Sequence, residues 1–153
     1  MAAIDDYASG RILHAIRRAH RALRFMRVPV AGRCIGAMME RRMESFATVP
    51  ITMDIARGAL RRSRCCSSGP RVCSPLFPES PASEAIFLDD LAEAMAGAGK
   101  ARMVTGEEAV RILERYPEQP LLCSKVSGRY LEICRSEPSV CIYWKMRQAG
   151  MKV

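Results

Sequence analysis

The chain has 153 residues, of which 49% are hydrophobic and 26% charged, a composition that excludes an intrinsically disordered chain and fits one globular domain. No apolar run approaches the roughly 20 residues of a membrane span, and the N-terminus lacks the apolar core of a signal peptide, so we expect a cytoplasmic protein. The net charge is +8, and residues 1–64 carry all of it, with 13 Lys and Arg against 5 Asp and Glu. Such a segment suits an acidic partner protein, an anionic membrane surface or nucleic acid.

The first predicted element is a basic amphipathic helix within residues 1–27, set apart from a cysteine-rich helical domain over residues 28–153. Residues 8–27 have six arginines beside an apolar seam at helical spacing. The seam consists of Ile12, Ile16, Ala19, Leu23 and Met26. The arginines expected to bind a partner are Arg17, Arg18, Arg21 and Arg24, and a solvated surface is the alternative interpretation.

Further helices are predicted over residues 32–46, 53–64, 84–97, 106–116 and 139–149, where apolar residues recur at helical spacing. Thr52 is a candidate N-cap, and Thr105 with Glu108 forms a T-x-x-E capping box. Residues 120–134 read as two short strands joined through Lys125 to Gly128. The predicted fold is therefore mainly α with a small β-hairpin, an α+β single compact domain with an N-terminal amphipathic helix.

An internal repeat is visible in the two capped helices. Residues 51–62 align without a gap on residues 104–115, with Thr52 on Thr105. The following residues are also alike, since Cys66-Ser67 precedes a Ser-Gly pair and so does Cys123-Ser124. A duplication would place two cysteine pairs in related positions.

The seven cysteines carry the strongest chemical signal. Without a secretion signal they do not indicate a disulfide framework, so metal binding or redox chemistry is the leading interpretation. Their spacing is C-C-x6-C and then C-x10-C-x6-C, without the C-x2-C of zinc knuckles. His14 and His20 both fall in the N-terminal helix, which leaves an all-thiolate site suited to an iron-sulfur cluster or zinc. A reactive thiol pair and inert cysteines are the alternatives.

Several segments resemble a known family from residue 28 onward. They are AGRCIGAMMERR, TVPITMDIARGALRRSRCC, MVTGEEAVRILER and LEIC. Over residues 28–148 their order is similar to that of ferredoxin-like, cysteine-ligated iron-sulfur proteins of anaerobic bacteria and archaea. The resemblance implies iron-sulfur binding and electron transfer. The chain departs from that pattern where C-C-x6-C replaces C-x-C, and where the terminal cysteine group is reduced to Cys134 and Cys141.

The resulting hypothesis is an iron-sulfur protein, with 4Fe-4S favoured over zinc, that transfers electrons or serves as a subunit of a redox complex. No catalytic triad or phosphate-binding glycine loop is visible, so we expect no catalytic residues. The expected partner of the basic helix is an acidic redox protein or an anionic membrane surface, with nucleic acid as a further possibility. The preferred ligands are Cys66, Cys73, Cys134 and Cys141, with Cys65 and Cys123 as alternates. The alternative is a zinc-stabilised or metal-free interaction module that binds nucleic acid or a partner protein through the basic N-terminal region.

Overall fold

The computed structural model describes residues 3–25 and 47–151. The predicted helix over residues 32–46, with Cys34, lies outside the described residues. The described part forms six α-helices, one short 3-10 turn (Ser74–Leu76) and six strands. The helices are α1 (Ile4–Ser9), α2 (Arg11–Phe25), α3 (Met53–Arg62), α4 (Asp89–Gly97), α5 (Gly106–Glu114) and α6 (Ile142–Gln148). The strands are β1 (Thr48–Ile51), β2 (Cys66–Pro70), β3 (Glu84–Leu88), β4 (Arg102–Val104), β5 (Leu121–Val126) and β6 (Arg129–Arg135).

The prediction of a mainly helical domain with a small β-hairpin is wrong. All six strands form one antiparallel sheet in the order β1-β5-β6-β3-β2-β4. The predicted hairpin is present as β5 and β6, joined by Ser127 and Gly128, both at positive φ, as a tight two-residue hairpin turn requires. It forms one third of a larger sheet, so the fold is α+β with an extensive sheet.

The sheet has an internal two-fold pattern that confirms the repeat in the helices. The first repeat comprises β1, α3, β2, β3 and α4, and the second comprises β4, α5, β5, β6 and α6. If each strand is replaced by its counterpart in the other repeat, β1 by β4, β2 by β5 and β3 by β6, the strand order β1-β5-β6-β3-β2-β4 is obtained again in reverse. Ile86 pairs with Ile133 at the centre, and Ala85 and Phe87 pair with Cys134 and Glu132 on either side. Each repeat places its first strand beside the second strand of the other repeat.

The strand registers change the alignment of the cysteines between the repeats. Ile51 pairs with Leu121 and Val104 pairs with Cys66, so Leu121 is the counterpart of Cys66. Continuing along the ladders, Cys123 corresponds to Ser68, and Cys134 corresponds to Phe87. The expectation that duplication puts two cysteine pairs in related positions is therefore wrong, although the helices align as predicted.

Helices cover both faces of the sheet. Directly paired residues share a face and neighbours along a strand alternate, so Ser67, Phe87 and Glu132 lie on one face and Cys66, Ile86 and Ile133 on the other. On the first face Ser67 donates a hydrogen bond to Ala92 O of α4, and α1 contacts Glu132 through Tyr7. On the second face Arg135 donates to Leu113 O of α5. The sheet is thus the middle layer of three.

Local signals account for α3 and α5. Thr52 Oγ1 accepts from Ile55 N at 3.3 Å, and Thr105 Oγ1 accepts from Glu108 N at 3.1 Å. Each side chain satisfies one of the free N–H groups at a helix start. The predicted N-caps are therefore confirmed at both positions.

The N-terminal residues contribute to the core of the sheet. Gly10, at φ 84°, separates α1 from α2, where the sequence predicts one continuous helix. Tyr7 and Ile12 are 4% and 3% exposed within the main hydrophobic cluster. Ala19 and Leu23 pack instead against Met146 of α6. Across residues 3–25 and 47–151, no helix is long and apolar enough to cross a membrane.

Candidate functional site

A pocket lies on the sheet face covered by α2 and α6. It encloses about 310 Å³ and is lined mainly by apolar side chains of these helices and by strands β5 and β6. Cys73, Cys134 and Cys141 all line it, and we call it the thiol pocket. Cys73 follows β2, Cys134 lies in β6 and Cys141 caps α6. Three distant chain segments therefore bring thiols to one site.

The pocket arises where the two repeats differ in side-chain size. Phe87 is fully buried in the first repeat, under α4. Its counterpart in the second repeat is Cys134, which lines the pocket instead of filling it. Because a thiol replaces an aromatic ring at the equivalent sheet position, space that is packed in one repeat is open in the other.

Two further differences between the repeats enlarge this space. A Cβ on Gly69 would lie 2.4 Å from Lys100 O, so the chain packs tightly there, whereas its counterpart Ser124 carries a side chain and lines the pocket. In the first repeat α4 begins directly after β3, at Asp89. In the second, residues 136–141 separate β6 from α6. Because of this longer connection, α6 does not cover the sheet at the position equivalent to the one that α4 covers in the first repeat.

The pocket thiols are held in their neutral form. Burial raises the pKa of Cys73 to about 11 and holds the pKa of Cys134 well above its ordinary value. Burial also raises the pKa of Cys141, although backbone N–H groups of α6 and the charge of Arg71 oppose it. Neutral thiols behave as small, weakly polar groups, so they add to the apolar lining.

A carboxyl and a phenol form the main polar pair of the pocket. Tyr7 Oη donates a 2.8 Å hydrogen bond to Glu132 Oε2, and both residues line the pocket. Burial raises the pKa of Glu132 to about 6, with the Tyr7 hydrogen bond and the charge of Arg71 acting against the rise. The pKa of Tyr7 is raised well above its ordinary value by burial and by Glu132, so Tyr7 remains the donor.

Arg71 is a buried cation close to this group. It is 2% exposed, and its Nη1 and Nη2 donate to Arg135 O and Ser80 Oγ at 2.8 Å each. Its Nε has no hydrogen-bond partner among the described residues. The guanidinium lowers the pKa values of all three pocket thiols, but burial has the larger effect.

The structure brings together three of the four preferred metal ligands. Cys66 does not join them, because it lies on the other face of the sheet with its Sγ 3.3 Å from Val104 O. Of the alternates, Cys123 is buried on that second face too, and Cys65 Sγ lies 3.8 Å from Glu93 Oε1. All six described cysteines are free.

These placements do not fit a four-thiolate centre. A cluster or zinc ion of that kind needs four sulfurs around one point, whereas the pocket is lined by three thiols. Within residues 3–25 and 47–151, no group of three or more His, Cys, Asp or Glu could hold a metal ion. The iron-sulfur and zinc hypotheses stay predictions.

The predicted partner-binding arginines lie on α2. Arg17, Arg18 and Arg21 are exposed, and Arg24 lies further along the same helix. In the part of the chain that the structure describes, the first three make no ion pair, whereas Arg57, Arg64, Arg102, Arg115 and Arg129 each pair with a carboxylate. Binding of an acidic partner by these arginines stays a prediction.

The sequence analysis did not identify the polar residues of the pocket. Glu132 stands between Leu131 and Ile133, an alternation that is typical of a strand with one polar, solvated face. Nothing local distinguishes a solvated glutamate from one that faces a pocket. Tyr7 comes from a distant segment and has no signal in the sequence.

Comparison with protein-family models, with curated proteins and with solved structures finds no significant match to this chain.

Proposed function

We propose that the protein is a non-catalytic binding protein for a small molecule with an apolar body, held in the thiol pocket. The observation that carries the proposal is a pocket of about 310 Å³ with a mainly apolar lining and one buried carboxyl-phenol pair. Small-molecule sites are typically concave, mostly apolar and supplied with a few convergent polar groups. The pocket has this composition, and its thiols are neutral.

The first test is a titration of the protein with decanol, in which tryptophan fluorescence monitors binding. Trp144, the only tryptophan, donates to Ser136 Oγ and stacks edge-on against Tyr143, which lines the pocket. We expect saturable binding in the wild type. Cys134→Phe should weaken it at least about tenfold, a loss of about 1.4 kcal/mol, because the ring occupies the space that Phe87 fills in the other repeat.

Cys134→Ala is the matched control, since it removes the thiol without filling the pocket and should keep binding. Ala19→Phe fills the pocket from α2 and should act as Cys134→Phe does. Circular dichroism establishes that each variant is folded. Unchanged decanol affinity in both folded phenylalanine variants would overturn the proposal.

A second candidate is an iron-sulfur protein, for which three of the four predicted ligands line the same pocket, although the fourth, Cys66, lies on the other face of the sheet. If it is correct, protein purified without oxygen absorbs broadly in the visible and contains iron and sulfide. Cys73→Ser and Cys134→Ser then lower the iron content, whereas Cys123→Ser, on the other sheet face, does not. A colourless protein without metal rejects this candidate, and stoichiometric zinc supports the interaction module instead.

A further inference from the structure

Two cationic side chains stand at the rim of the thiol pocket. Arg18 on α2 is exposed and Lys125 on β5 is half-buried, and both line the pocket. Neither forms an ion pair with any residue in the described ranges 3–25 and 47–151, whereas Arg57, Arg64, Arg102, Arg115 and Arg129 each pair with a carboxylate. The rim therefore carries positive charge that the protein does not neutralise.

Lys125 lies beside an irregularity in the sheet. Ser124 pairs with Glu132 and Lys125 with Tyr130, so Leu131 of β6 is an extra residue between these two pairs. Ser124 and Lys125 both line the pocket although they are neighbours on β5, and bulges disrupt the regular geometry of a strand pair in this way. The Lys125 N–H bonds to Ala47 O at 2.9 Å, which holds Lys125 beside the segment before β1.

The interior of the pocket does not attract an anion. Its lining is mainly apolar and its three thiols are neutral, and its carboxyl, Glu132, is 5% exposed, hydrogen-bonded to Tyr7 and ionised above about pH 6. Electrostatic attraction for an anion is therefore available at the rim, whereas the rest of the interior offers apolar contact. This separation matches a molecule whose charge is at one end.

We propose that the ligand of the thiol pocket is an alkyl carboxylate, a fatty acid whose chain lies among the thiols and whose carboxylate lies between Arg18 and Lys125. The proposal rests on the function proposed above and adds the chemical class and the orientation of the ligand. A guanidinium presents two parallel N–H donors to a carboxylate, and Lys125 adds a second charge. Held 5.1 Å from the ring of Tyr130, the Lys125 ammonium is positioned by a cation-π contact.

The test compares three ligands of one chain length, decanoate, decanol and decylammonium, below their micelle-forming concentrations and at fixed ionic strength. Trp144 fluorescence reports the affinity of the full chain for each ligand. We expect decanoate to bind about tenfold more tightly than decanol, the effect of one partly solvated charge-assisted hydrogen bond. Decylammonium should bind more weakly than decanol.

Two neutral variants of similar shape assign the effect to the rim. Lys125→Met and Arg18→Met should each weaken decanoate binding several-fold, to about tenfold, and change decanol binding less than about twofold. Arg17→Met is the matched control, because Arg17 is exposed on the same helix but does not line the pocket. The decanoate affinity should also fall with added salt, since the rim is exposed to screening.

The outcomes separate this inference from the proposed function. Equal binding of decanoate and decanol by the wild type overturns the carboxylate inference and leaves the pocket proposal intact. Tightest binding of decylammonium also overturns it and identifies Glu132 as the group that selects the ligand. If none of the three ligands binds, both proposals fail. If one methionine variant does not fold, the other variant decides.

Discussion

Replacing Phe87 by alanine is expected to destabilise the protein by about 3–5 kcal/mol, the range for truncating a buried phenylalanine. Phe87 is fully buried in the main hydrophobic cluster and lies in β3, which pairs with β6 where the repeats meet. Cys134→Ala, at the equivalent position of the second repeat, should cost about 1 kcal/mol, because one sulfur beside an open pocket has few contacts to lose. Urea unfolding monitored by circular dichroism measures both values.

The comparison tests whether one repeat is packed and the other open. Similar losses of unfolding free energy in Phe87→Ala and Cys134→Ala would show that the second repeat is as well packed as the first. This result would remove the structural basis of the thiol pocket. Ile86→Ala is the reference within the same strand, because Ile86 is also fully buried, on the other face of the sheet. Ile86→Ala should lower the free energy of unfolding by the usual amount for truncating an aliphatic core residue, about 2–5 kcal/mol.

Stability is expected to decrease between about pH 4.5 and 6 through the ionisation of Glu132. Burial raises its pKa from 4.5 to about 6 in the folded protein, so within this interval the folded state binds more protons than the unfolded state. The free energy of unfolding then falls as the pH rises. The shift corresponds to roughly 2 kcal/mol, present below pH 4.5 and lost above pH 6.

Glu132→Gln should remove this part of the pH dependence. Tyr7→Phe should move the transition to higher pH, because the Tyr7 hydrogen bond lowers the pKa of Glu132. Glu118→Gln, at an exposed position, is the control and should keep the wild-type slope. Chemical denaturation at a series of pH values gives the slopes, and a glutamine variant at position 132 with the wild-type slope contradicts the assignment.

The elements predicted correctly are those with local signals. The N-caps Thr52 and Thr105 and the Ser-Gly turn act within a few residues, so α3, α5 and the hairpin could be found in the sequence. The repeat was visible in the helices for the same reason. Its cysteines were misaligned because strand register depends on partners far along the chain.

Residues 84–97 show why the sheet was missed. Their apolar residues Ile86, Phe87, Leu91 and Met95 fit a helix, but β3 occupies Glu84–Leu88 and α4 only Asp89–Gly97. Strand β3 is central and buried on both faces, so it lacks polar alternation, and a short apolar run of this kind is indistinguishable from a buried helix by period. Asp89, at φ 50°, makes the change of direction, accepting from Arg64 N at 2.7 Å.

Strand β2 was missed for a different reason. Its sequence, CSSGP, contains no β-branched or aromatic residue, and its strand conformation depends on pairing with β3 and β4. The thiol pocket depends on the same long-range pairing. Cys73, Cys134 and Cys141 could be identified as candidates in the sequence, but Cys66 could be separated from them only when its sheet face was known.

The exchange of first strands between the repeats makes the two halves of the chain dependent on each other. Strand β1 bonds only to β5 within the described sheet, and β4 bonds only to β2. A half-length chain would therefore leave one strand without its partner and would complete the sheet only by associating with a second half. In one continuous chain the two halves are held together although they are not identical. One half has a large aromatic residue, Phe87, at its centre, and the other has the thiol pocket at the corresponding place.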